Sequence, residues 1–433
     1  MIHTSVRRAP RNTSHFVRRH NISIFYNTSP AHEGPTTFHI IDHNNMSRTQ
    51  PHYFGAGPAL LPAEVLQQAS SDLLNYKDSG LGLGEISHRS ALAVNVVDSA
   101  KATIKQLLAI PDTYEIFFLQ GGGTGEFSAV VYNLLASFAL KTGKKGKADY
   151  LVTGSWSQRA AEEATRLGVD VNLAVDARKG SADGKSYGTI PDPSTWSLGS
   201  AGETAYVYYC DNETVNGVEF PYIPEVPEGV ELVTDMSSNI LSREFDVTKF
   251  GLVFAGAQKN IGMAGVTVCI IKKQLLARPK EADLVALGIP LPPLVLDFPT
   301  IVKNNSLYNT LPIFNVHIVY LTTQRLIDNG GLKVQEAISD AKAKKLYDTL
   351  DAAPKGVYNC FVEKASRSRM NVVFTIPGEG KEKAFLDGAK ERGMTGLQGY
   401  RSVGGIRVSN YNAVSERSID LLVDWIKTFA ASA

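Results

Sequence analysis

The stretch from residue 115 to residue 127, EIFFLQGGGTGEF, joins an apolar run to a glycine-rich turn and the start of a helix. Its first five residues predict a strand without a polar face, which is typical of a sheet covered on both sides. The glycines at 121–123 can then expose backbone N–H groups to an anion at the positive end of the helix. The stretch predicts a phosphate site, although an ordinary tight turn would also use such glycines.

Apolar runs and helical patterns alternate beyond this stretch. Further strands are predicted at 149–153, 205–210, 232–235 and 252–255, and helices at 62–69 and 90–108. This alternation predicts an α/β fold with a mainly parallel, helix-flanked sheet, whose ligands lie beyond the carboxyl ends of the strands. From about Gly330 the pattern predicts a smaller α+β domain. Its elements are helices over 337–350 and 381–392, a strand over 370–376, another strand, and a closing helix from Ser415.

Composition narrows the class of protein. The chain has 433 residues, with 44 Lys+Arg against 43 Asp+Glu and 43% hydrophobic residues, which is typical of a globular protein and argues against a nucleic-acid partner. Apolar runs are too short to span a membrane, so we expect no membrane association. The three cysteines, Cys210, Cys269 and Cys360, form neither a metal pattern nor a disulfide framework. We therefore expect a reducing compartment, the cytoplasm, and no metal site.

The first 45 residues differ from the rest. They carry five arginines, no lysine, one glutamate and one aspartate, a net charge of +3, without sustained apolar periodicity. We expect a tail over residues 1–50, a large domain over 51–329 and a small domain over 330–433, with the first residues of the large domain as candidates for packing on the small one. The tail is interpreted as a spurious extension before Met46; the alternative is a mitochondrial transit segment.

Two polar residues follow neighbouring strands. Asp235 closes one strand, and Lys259 follows the next, among small residues. Alone, Asp235 could be a helix cap and Lys259 a surface lysine. Together with a phosphate-binding turn, they match what pyridoxal 5′-phosphate (PLP) requires: a phosphate cup, a partner for the ring nitrogen and an amine for the aldehyde. The sequence therefore predicts a PLP site.

From about Tyr53 to the C-terminus, a series of segments extends this match. They are FGAGPA (54–59), GEISHRS (84–90), GGGTG (121–125), GSWS (154–157), DNETVNG (211–217), DMSSN (235–239), AQKN (257–260), NNSLYNT (304–310) and RSVGGIR (401–407). In this order they resemble the phosphoserine aminotransferase family, in the class V branch of the fold-type I PLP-dependent aminotransferases. The resemblance implies that fold and amino transfer between phosphoserine or 3-phosphohydroxypyruvate and glutamate or 2-oxoglutarate, in L-serine biosynthesis.

The resemblance also implies roles for residues around the cofactor ring. Lys259 forms the Schiff base with PLP and moves the proton of the substrate α-carbon. Asp235 keeps the ring nitrogen protonated, because a buried carboxylate favours the charged form of that nitrogen. Trp156 stacks on the ring, and Thr214 hydrogen-bonds its 3-oxygen.

The cofactor phosphate has its own set of residues in this family. Backbone donors of Gly123 and Thr124, together with Gln258, are expected to hold it. Asn309 and Thr310 are expected to reach it from the neighbouring subunit. The resemblance therefore implies a homodimer with shared active sites.

Arginines are expected to bind the substrates, because planar carboxylates fit a guanidinium fork. Arg407 resembles the residue that holds the α-carboxylate. His88 and Arg89 resemble the pair that receives the distal phosphate or γ-carboxylate across the dimer interface, and Arg401 adds to this cationic pocket. Each of these residues alone could be an ordinary surface charge.

The chain departs from the family pattern at two positions. Tyr400 stands where many members have histidine, and Thr124 where some have arginine. We expect the substrate class to survive, with an altered affinity for the phosphorylated substrate. The alternatives are another class V enzyme such as an alanine–glyoxylate aminotransferase, a nucleotide-dependent oxidoreductase that uses the glycine turn, and a non-catalytic scaffold of the same fold.

Overall fold

The computed structural model describes residues 50–181, 183–401 and 403–432, together with two short strands nearer the N-terminus. These are β1 (Ile22–Ser23) and β2 (Ile41–Asp42), which pair antiparallel. Residues 1–49 and 50–433 form separate units. The remainder of the predicted tail, including the proposed start at Met46, lies outside the described residues.

The second unit alternates strands and helices. Its strands are β3 (His52–Tyr53), β4 (Tyr114–Leu119), β5 (Lys147–Val152), β6 (Val171–Asp176), β7 (Thr204–Cys210), β8 (Asn212–Glu213), β9 (Val218–Glu219), β10 (Glu231–Asp235), β11 (Leu252–Gly256), β12 (Thr267–Lys272), β13 (Asn371–Phe374), β14 (Met394–Thr395) and β15 (Ile406–Ser409). Its helices are α1 (Ala63–Leu74), α2 (Ala91–Leu107), α3 (Gly122–Thr142), α4 (Ser155–Arg166), α5 (Glu281–Ala286), α6 (Phe298–Lys303), α7 (Ile313–Asp328), α8 (Gly331–Asp351), α9 (Lys381–Glu391) and α10 (Glu416–Ser432).

The central sheet has seven strands in the order β4-β12-β11-β10-β7-β5-β6. The neighbours from β11 to β6 pair in parallel, while β12 runs antiparallel to both β11 and β4. The mainly parallel, helix-flanked sheet predicted from the sequence is confirmed. Because parallel strands end at one edge, the residues that follow β7, β10 and β11 lie close together.

Both faces of this sheet are buried. Along β4, Phe117 packs in one hydrophobic core with residues of α3 and α4, and Phe118 packs in another with residues of α2 and α7. Successive side chains of a strand point to opposite faces, so an uninterrupted apolar run fills two cores at once. This accounts for the lack of polar alternation in these strands.

A further core forms in the C-terminal part. Strands β13 and β15 pair antiparallel. Strand β14 pairs in parallel with β3, so the first residues of the second unit pack against its C-terminal elements. Phe54 accordingly shares a buried cluster with Phe374, Phe385 and Trp425. Helix α8 begins at Gly331, several residues before the predicted start at 337. The domain division near residue 330 stays a prediction.

Within the described part of the chain, no helix is both long and apolar enough to cross a membrane. No group of histidine, cysteine and acidic side chains with the arrangement of a metal site occurs among the same residues.

Candidate active site

A cavity of about 600 Å³ opens where β7, β10 and β11 end and α3 begins. This is the position at which ligands bind in open α/β sheets. It is lined by Ala56, Gly57, Pro58, Gly121, Gly122, Gly123, Thr124, Phe127, Trp156, Cys210, Asn212, Thr214, Val215, Asp235, Ser237, Ser238, Gln258, Lys259, Ala264, Gly265, Tyr400 and Arg407. Eight residues predicted for the site are among them: Gly123, Thr124, Trp156, Thr214, Asp235, Gln258, Lys259 and Arg407.

The glycine-rich turn forms the first turn of α3. Gly121 caps the helix with a φ of 122°, a backbone conformation that glycine adopts readily, and Gly122 has a φ of 62°. The N–H groups of Gly122, Gly123 and Thr124 have no acceptors inside the helix, because the first turn precedes the first i to i−4 bond. They face the cavity at the positive end of the helix dipole, which suits a phosphate group.

Asp235 is the last residue of β10, and its side chain is buried beside this helix end. Its Oδ1 accepts a hydrogen bond from the Ser237 N–H at 2.8 Å. Burial raises the pKa of Asp235, while the bond from Ser237 and the charge of Lys259 act in the opposite direction. A buried carboxylate of this kind favours a cationic partner in the cavity, such as a protonated ring nitrogen.

Lys259 follows β11 and enters the same cavity, where its Nζ donates to Thr214 Oγ1 at 3.2 Å. The backbone of Gly57 lies against its aliphatic chain: a Cβ added there would be 3.5 Å from Cγ of the lysine. Gly57 also has a φ of 129°, so a larger residue would be strained as well as crowded. The amine is thereby directed toward Thr214 at the cavity wall.

Trp156 lies in the first turn of α4, where a hydrogen bond to Glu213 holds its backbone. The buried carboxylate of Glu213 accepts hydrogen bonds from the N–H groups of Trp156 and Ser157, both at 2.8 Å, and from Ser157 Oγ at 2.6 Å. Burial raises the pKa of Glu213 to about 7, opposed by these three bonds. Trp156 Nε1 is buried and finds no hydrogen-bond partner in the part of the chain that the structure describes. Such an orphaned donor at a cavity wall marks a place for a ligand.

Arg407 contributes a partly buried cation to the lining of the cavity. Burial lowers the pKa of its guanidinium, and its Nε has no hydrogen-bond partner among the described residues. Its Cζ lies 5.9 Å from the ring centroid of Tyr400. An arginine held in this state can bind a carboxylate strongly, because its desolvation has already occurred.

Five residues predicted for the site do not line the cavity of their own chain: His88, Arg89, Asn309, Thr310 and Arg401. Asn309 hydrogen-bonds to Gln120 of the same chain, whereas Arg89, Thr310 and Arg401 are exposed. His88 is partly buried, and its Nε2 has no hydrogen-bond partner among the described residues.

Sequence reasoning missed Glu213 as the residue that positions Trp156. It lies within the DNETVNG segment, where an acidic residue carries no mark of burial in the sequence. In the structure Gly154 makes room for this carboxylate, since a Cβ there would lie 2.3 Å from the Glu213 side chain. A glycine directly before a helix is at most a weak sign of a close contact, and it does not specify the partner.

The residues present fit pyridoxal phosphate. One cavity contains free N–H groups of a helix end for a phosphate, an indole for a ring face, a buried carboxylate for a ring nitrogen and a primary amine for an aldehyde. A nucleotide-dependent oxidoreductase would need neither the buried carboxylate nor the primary amine at these positions. The lining therefore defines a PLP site rather than a dinucleotide site.

Comparison with known proteins leads to the same class. The family model for aminotransferase class V matches residues 52–422, and the chain belongs to that family. Among its members, the chain is 50% identical to phosphoserine aminotransferase of Saccharomyces cerevisiae over 393 residues, covering 89% of this chain and 99% of the relative. It is 44% identical to phosphoserine aminotransferase of Drosophila melanogaster, covering 87% and 97%. The chain thus falls with the phosphoserine aminotransferases.

Solved structures agree. Phosphoserine aminotransferase from Bacillus circulans subsp. alkalophilus is 38% identical with a TM-score of 0.79, covering 88% of this chain and 99% of that one. The PLP-bound enzyme from Trichomonas vaginalis is 35% identical with a TM-score of 0.77, covering 87% and 100%. An alanine–glyoxylate aminotransferase from Nostoc is 16% identical with a TM-score of 0.63, covering 90% and 97%, and shares the fold alone. The protein is a PLP-dependent aminotransferase of fold type I.

Proposed function

We propose that this protein transfers the amino group between O-phospho-L-serine and 2-oxoglutarate, forming 3-phosphohydroxypyruvate and glutamate, as a step of L-serine biosynthesis. The observation that carries the proposal is the convergence of Lys259, Asp235 and the N-terminus of α3 on one cavity that also holds Arg407. The names of the similar proteins support the choice of substrate.

The chemistry divides between cofactor and protein. When bound, PLP supplies an electron sink that stabilises negative charge at the substrate α-carbon. Lys259 would hold the cofactor through its aldehyde and, as a free amine, would take and return the proton of the substrate α-carbon as a general base. Thr214, which accepts from its Nζ at 3.2 Å, is placed to keep the amine at this position.

Asp235 and Trp156 would orient the ring. The buried Asp235 carboxylate would keep a proton on the ring nitrogen, because a positively charged partner offsets the cost of burying the carboxylate. The indole of Trp156 would cover one ring face and exclude water from it. Its position is set by Glu213, through the bond to its N–H at 2.8 Å. Gly123, Thr124 and Gln258, which line the cavity, are proposed to hold the phosphate.

Arg407 is proposed to bind the α-carboxylate that both amino-acid substrates share. His88, Arg89 and Arg401 are proposed to receive the distal phosphate or γ-carboxylate. Because one cationic pocket accepts either distal group, a single site can serve both half-reactions: glutamate donates the amino group, and 3-phosphohydroxypyruvate receives it.

We further propose a homodimer with shared sites. The support is that His88, Arg89, Asn309 and Thr310, which the family resemblance assigns to substrate or phosphate, do not line the cavity of their own chain. Exposed side chains such as Arg89 and Thr310 are available to a neighbouring subunit. Light scattering of the purified protein tests this proposal: a mass of two chains is expected, and a monomer at micromolar concentration would contradict it.

Spectroscopy tests the substrate. Addition of phosphoserine to the holoenzyme is expected to bleach the visible band of the bound cofactor within seconds, and 2-oxoglutarate to restore it. Alanine at the same concentration is expected to bleach it at least about 100-fold more slowly, because it lacks a distal anion for the cationic pocket. Equal rates for the two amino acids would overturn the phosphoserine assignment in favour of another class V activity.

The cytoplasm is the proposed location. Cys210, Cys269 and Cys360 are all free thiols, which suits a reducing compartment. Cell fractionation combined with mass spectrometry of the native N-terminus tests this. An N-terminus at or near Met46 in the cytoplasmic fraction is expected, whereas a cleaved chain in mitochondria would show that residues 1–45 act as a transit segment.

A further inference from the structure

Arg159 stands at the rim of the cavity, although no family motif pointed to it. It lies on α4 with an exposed side chain. Its guanidinium carbon lies 4.9 Å from the centroid of the Trp156 ring, and its Nη2 donates to Tyr400 Oη at 3.2 Å. Both of these partners line the cavity. Arg159 therefore bridges two walls of the site from just outside it.

Among the residues that the structure describes, no carboxylate neutralises the charge of Arg159. Several arginines of the described residues form ion pairs, including Arg166 with Glu163 on the same helix and Arg178 with Asp176. Arg159 forms no ion pair with any residue that the structure describes. Its full positive charge is thus available at the mouth of the cavity.

The charges that line the cavity leave a deficit for a phosphorylated substrate. Among the described lining residues, the cations are Lys259 and Arg407. In the proposed function the first serves the cofactor and the second the α-carboxylate, while His88, Arg89 and Arg401, which do not line this cavity, are proposed to receive the distal group. A phosphate monoester carries a charge of about −1.5 to −2 near neutral pH, so a further cation close to the lining would add to its binding.

We propose that Arg159 is a specificity-determining residue, which acts with Tyr400 to favour a distal phosphate over a distal carboxylate. This inference rests on the proposed function and names the residue pair within one chain that adds charge to the distal pocket. Arg159 donates to Tyr400 Oη, so the hydroxyl keeps its own proton free to donate to a substrate oxygen. Donors linked in this way strengthen one another.

The contact with Trp156 makes the arrangement rigid. A guanidinium over an indole face is attracted to the ring and loses side-chain freedom before substrate arrives. The position of the cation is thereby tied to the residue that is proposed to cover the cofactor. A dianionic phosphate gains more from a fixed cation than a singly charged carboxylate does, since the Coulomb energy scales with charge.

Steady-state kinetics of three variants test the proposal: Arg159→Gln, Arg159→Lys and the matched control Arg166→Gln. Arg166 is an exposed arginine on the same helix, about two turns from Arg159. For Arg159→Gln, the KM for phosphoserine is expected to rise about tenfold, and the KM for glutamate by less than about threefold. The kcat values and the PLP content, read from absorbance, are expected to stay unchanged. Arg159→Lys should keep most of the affinity, and the control should match the unaltered enzyme.

A second substitution separates charge from packing. Tyr400→Phe removes the hydroxyl and keeps the ring, and its effect on phosphoserine KM should not add to that of Arg159→Gln if the two residues act as a unit. Equal increases for both substrates, fully additive effects, lost PLP or an unchanged phosphoserine KM would each overturn the proposal. Absence of phosphoserine turnover by the unaltered enzyme would instead contradict the proposed function, and this inference with it.

Discussion

The carboxylate of Asp235 gives the clearest prediction for a single residue. Asp235→Asn keeps an oxygen that can accept from the Ser237 N–H, so the free energy of unfolding should change little. It removes the negative charge that is proposed to face the ring nitrogen, so kcat should fall at least about 100-fold. Steady-state kinetics and thermal unfolding of the same preparation check both statements. A kcat within a factor of about three of the unaltered enzyme would contradict the role of Asp235.

The positions of single site residues were predictable from the sequence where those residues lie at or just after the end of a strand. Asp235 and Lys259 follow adjacent strands of a parallel sheet, so their meeting follows from chain order and sheet geometry. Glu213 and Arg159 were not predictable, because their importance depends on tertiary partners, Trp156 and Tyr400, that no local pattern specifies. The residues that are proposed to reach the site from a second chain could be inferred only from family resemblance.

At the scale of elements, the start of α4 depends on the absence of a side chain at Gly154. A Cβ there would lie 2.3 Å from Glu213, so Gly154→Ala should displace the carboxylate that holds the N–H of Trp156. We expect the free energy of unfolding to fall by about 1–3 kcal/mol and kcat/KM to fall about tenfold or more. Thermal unfolding and kinetics measure the two effects.

Gly180→Ala is the matched control, because a Cβ at Gly180 meets no atom of the described residues within 4 Å. It should leave both stability and kcat/KM nearly unchanged. If Gly154→Ala behaved like this control, the account of how Trp156 is positioned would be wrong.

Helix α8 is joined to the loop after β15 by a buried lysine. Lys342 Nζ donates to the carbonyl oxygens of Tyr411 and Val414 at 3.0 and 2.8 Å, and burial lowers the pKa of Lys342 to about 7. In the unfolded chain its pKa is about 10.4, so above pH 7 the unfolded state binds more protons than the folded state. Stability from this group is therefore least below pH 7 and rises with pH up to the unfolded value.

Lys342→Met removes this titration. In the unaltered protein, the titration of Lys342 should raise the free energy of unfolding by about 2 kcal/mol between about pH 7 and pH 9. This rise should be absent in the variant. Thermal unfolding midpoints measured across this range check the prediction. Parallel pH profiles for the two proteins would show that Lys342 keeps an ordinary pKa in the fold.

Elements were predictable where hydrophobic pattern and burial agree. The strands at 114–119, 204–210 and 231–235 match the apolar runs closely, because both faces of each are covered. Strand β12 was not among the predicted strands, since its antiparallel place beside β11 depends on the return of the chain through 257–266. The early start of α8 was missed because glycines stand at 330 and 331.

For the whole molecule, the proposed shared sites predict complementation between inactive chains. Lys259→Ala lacks the amine, and an Asn309→Ala, Thr310→Ala double variant lacks the groups expected to reach across to the phosphate. Each alone should be nearly inactive. Mixed, dissociated and reassociated in equal amounts, they should recover up to about a quarter of full activity, because half of randomly paired dimers carry one intact site.

Activity no higher than the sum of the two separate variants would contradict shared sites. Reassociation of each variant with itself is the control, since it follows the same treatment without creating an intact site.

The central claim is that Lys259 is the residue that joins the cofactor in the cavity where Asp235 ends β10. The most direct measurement is borohydride reduction of the PLP-loaded enzyme, followed by proteolysis and mass spectrometry of every lysine-containing peptide. The account predicts loss of the visible absorbance and a pyridoxyl phosphate group on Lys259 at close to one per chain. A group attached mainly to another lysine, with Lys259 unmodified, would contradict it.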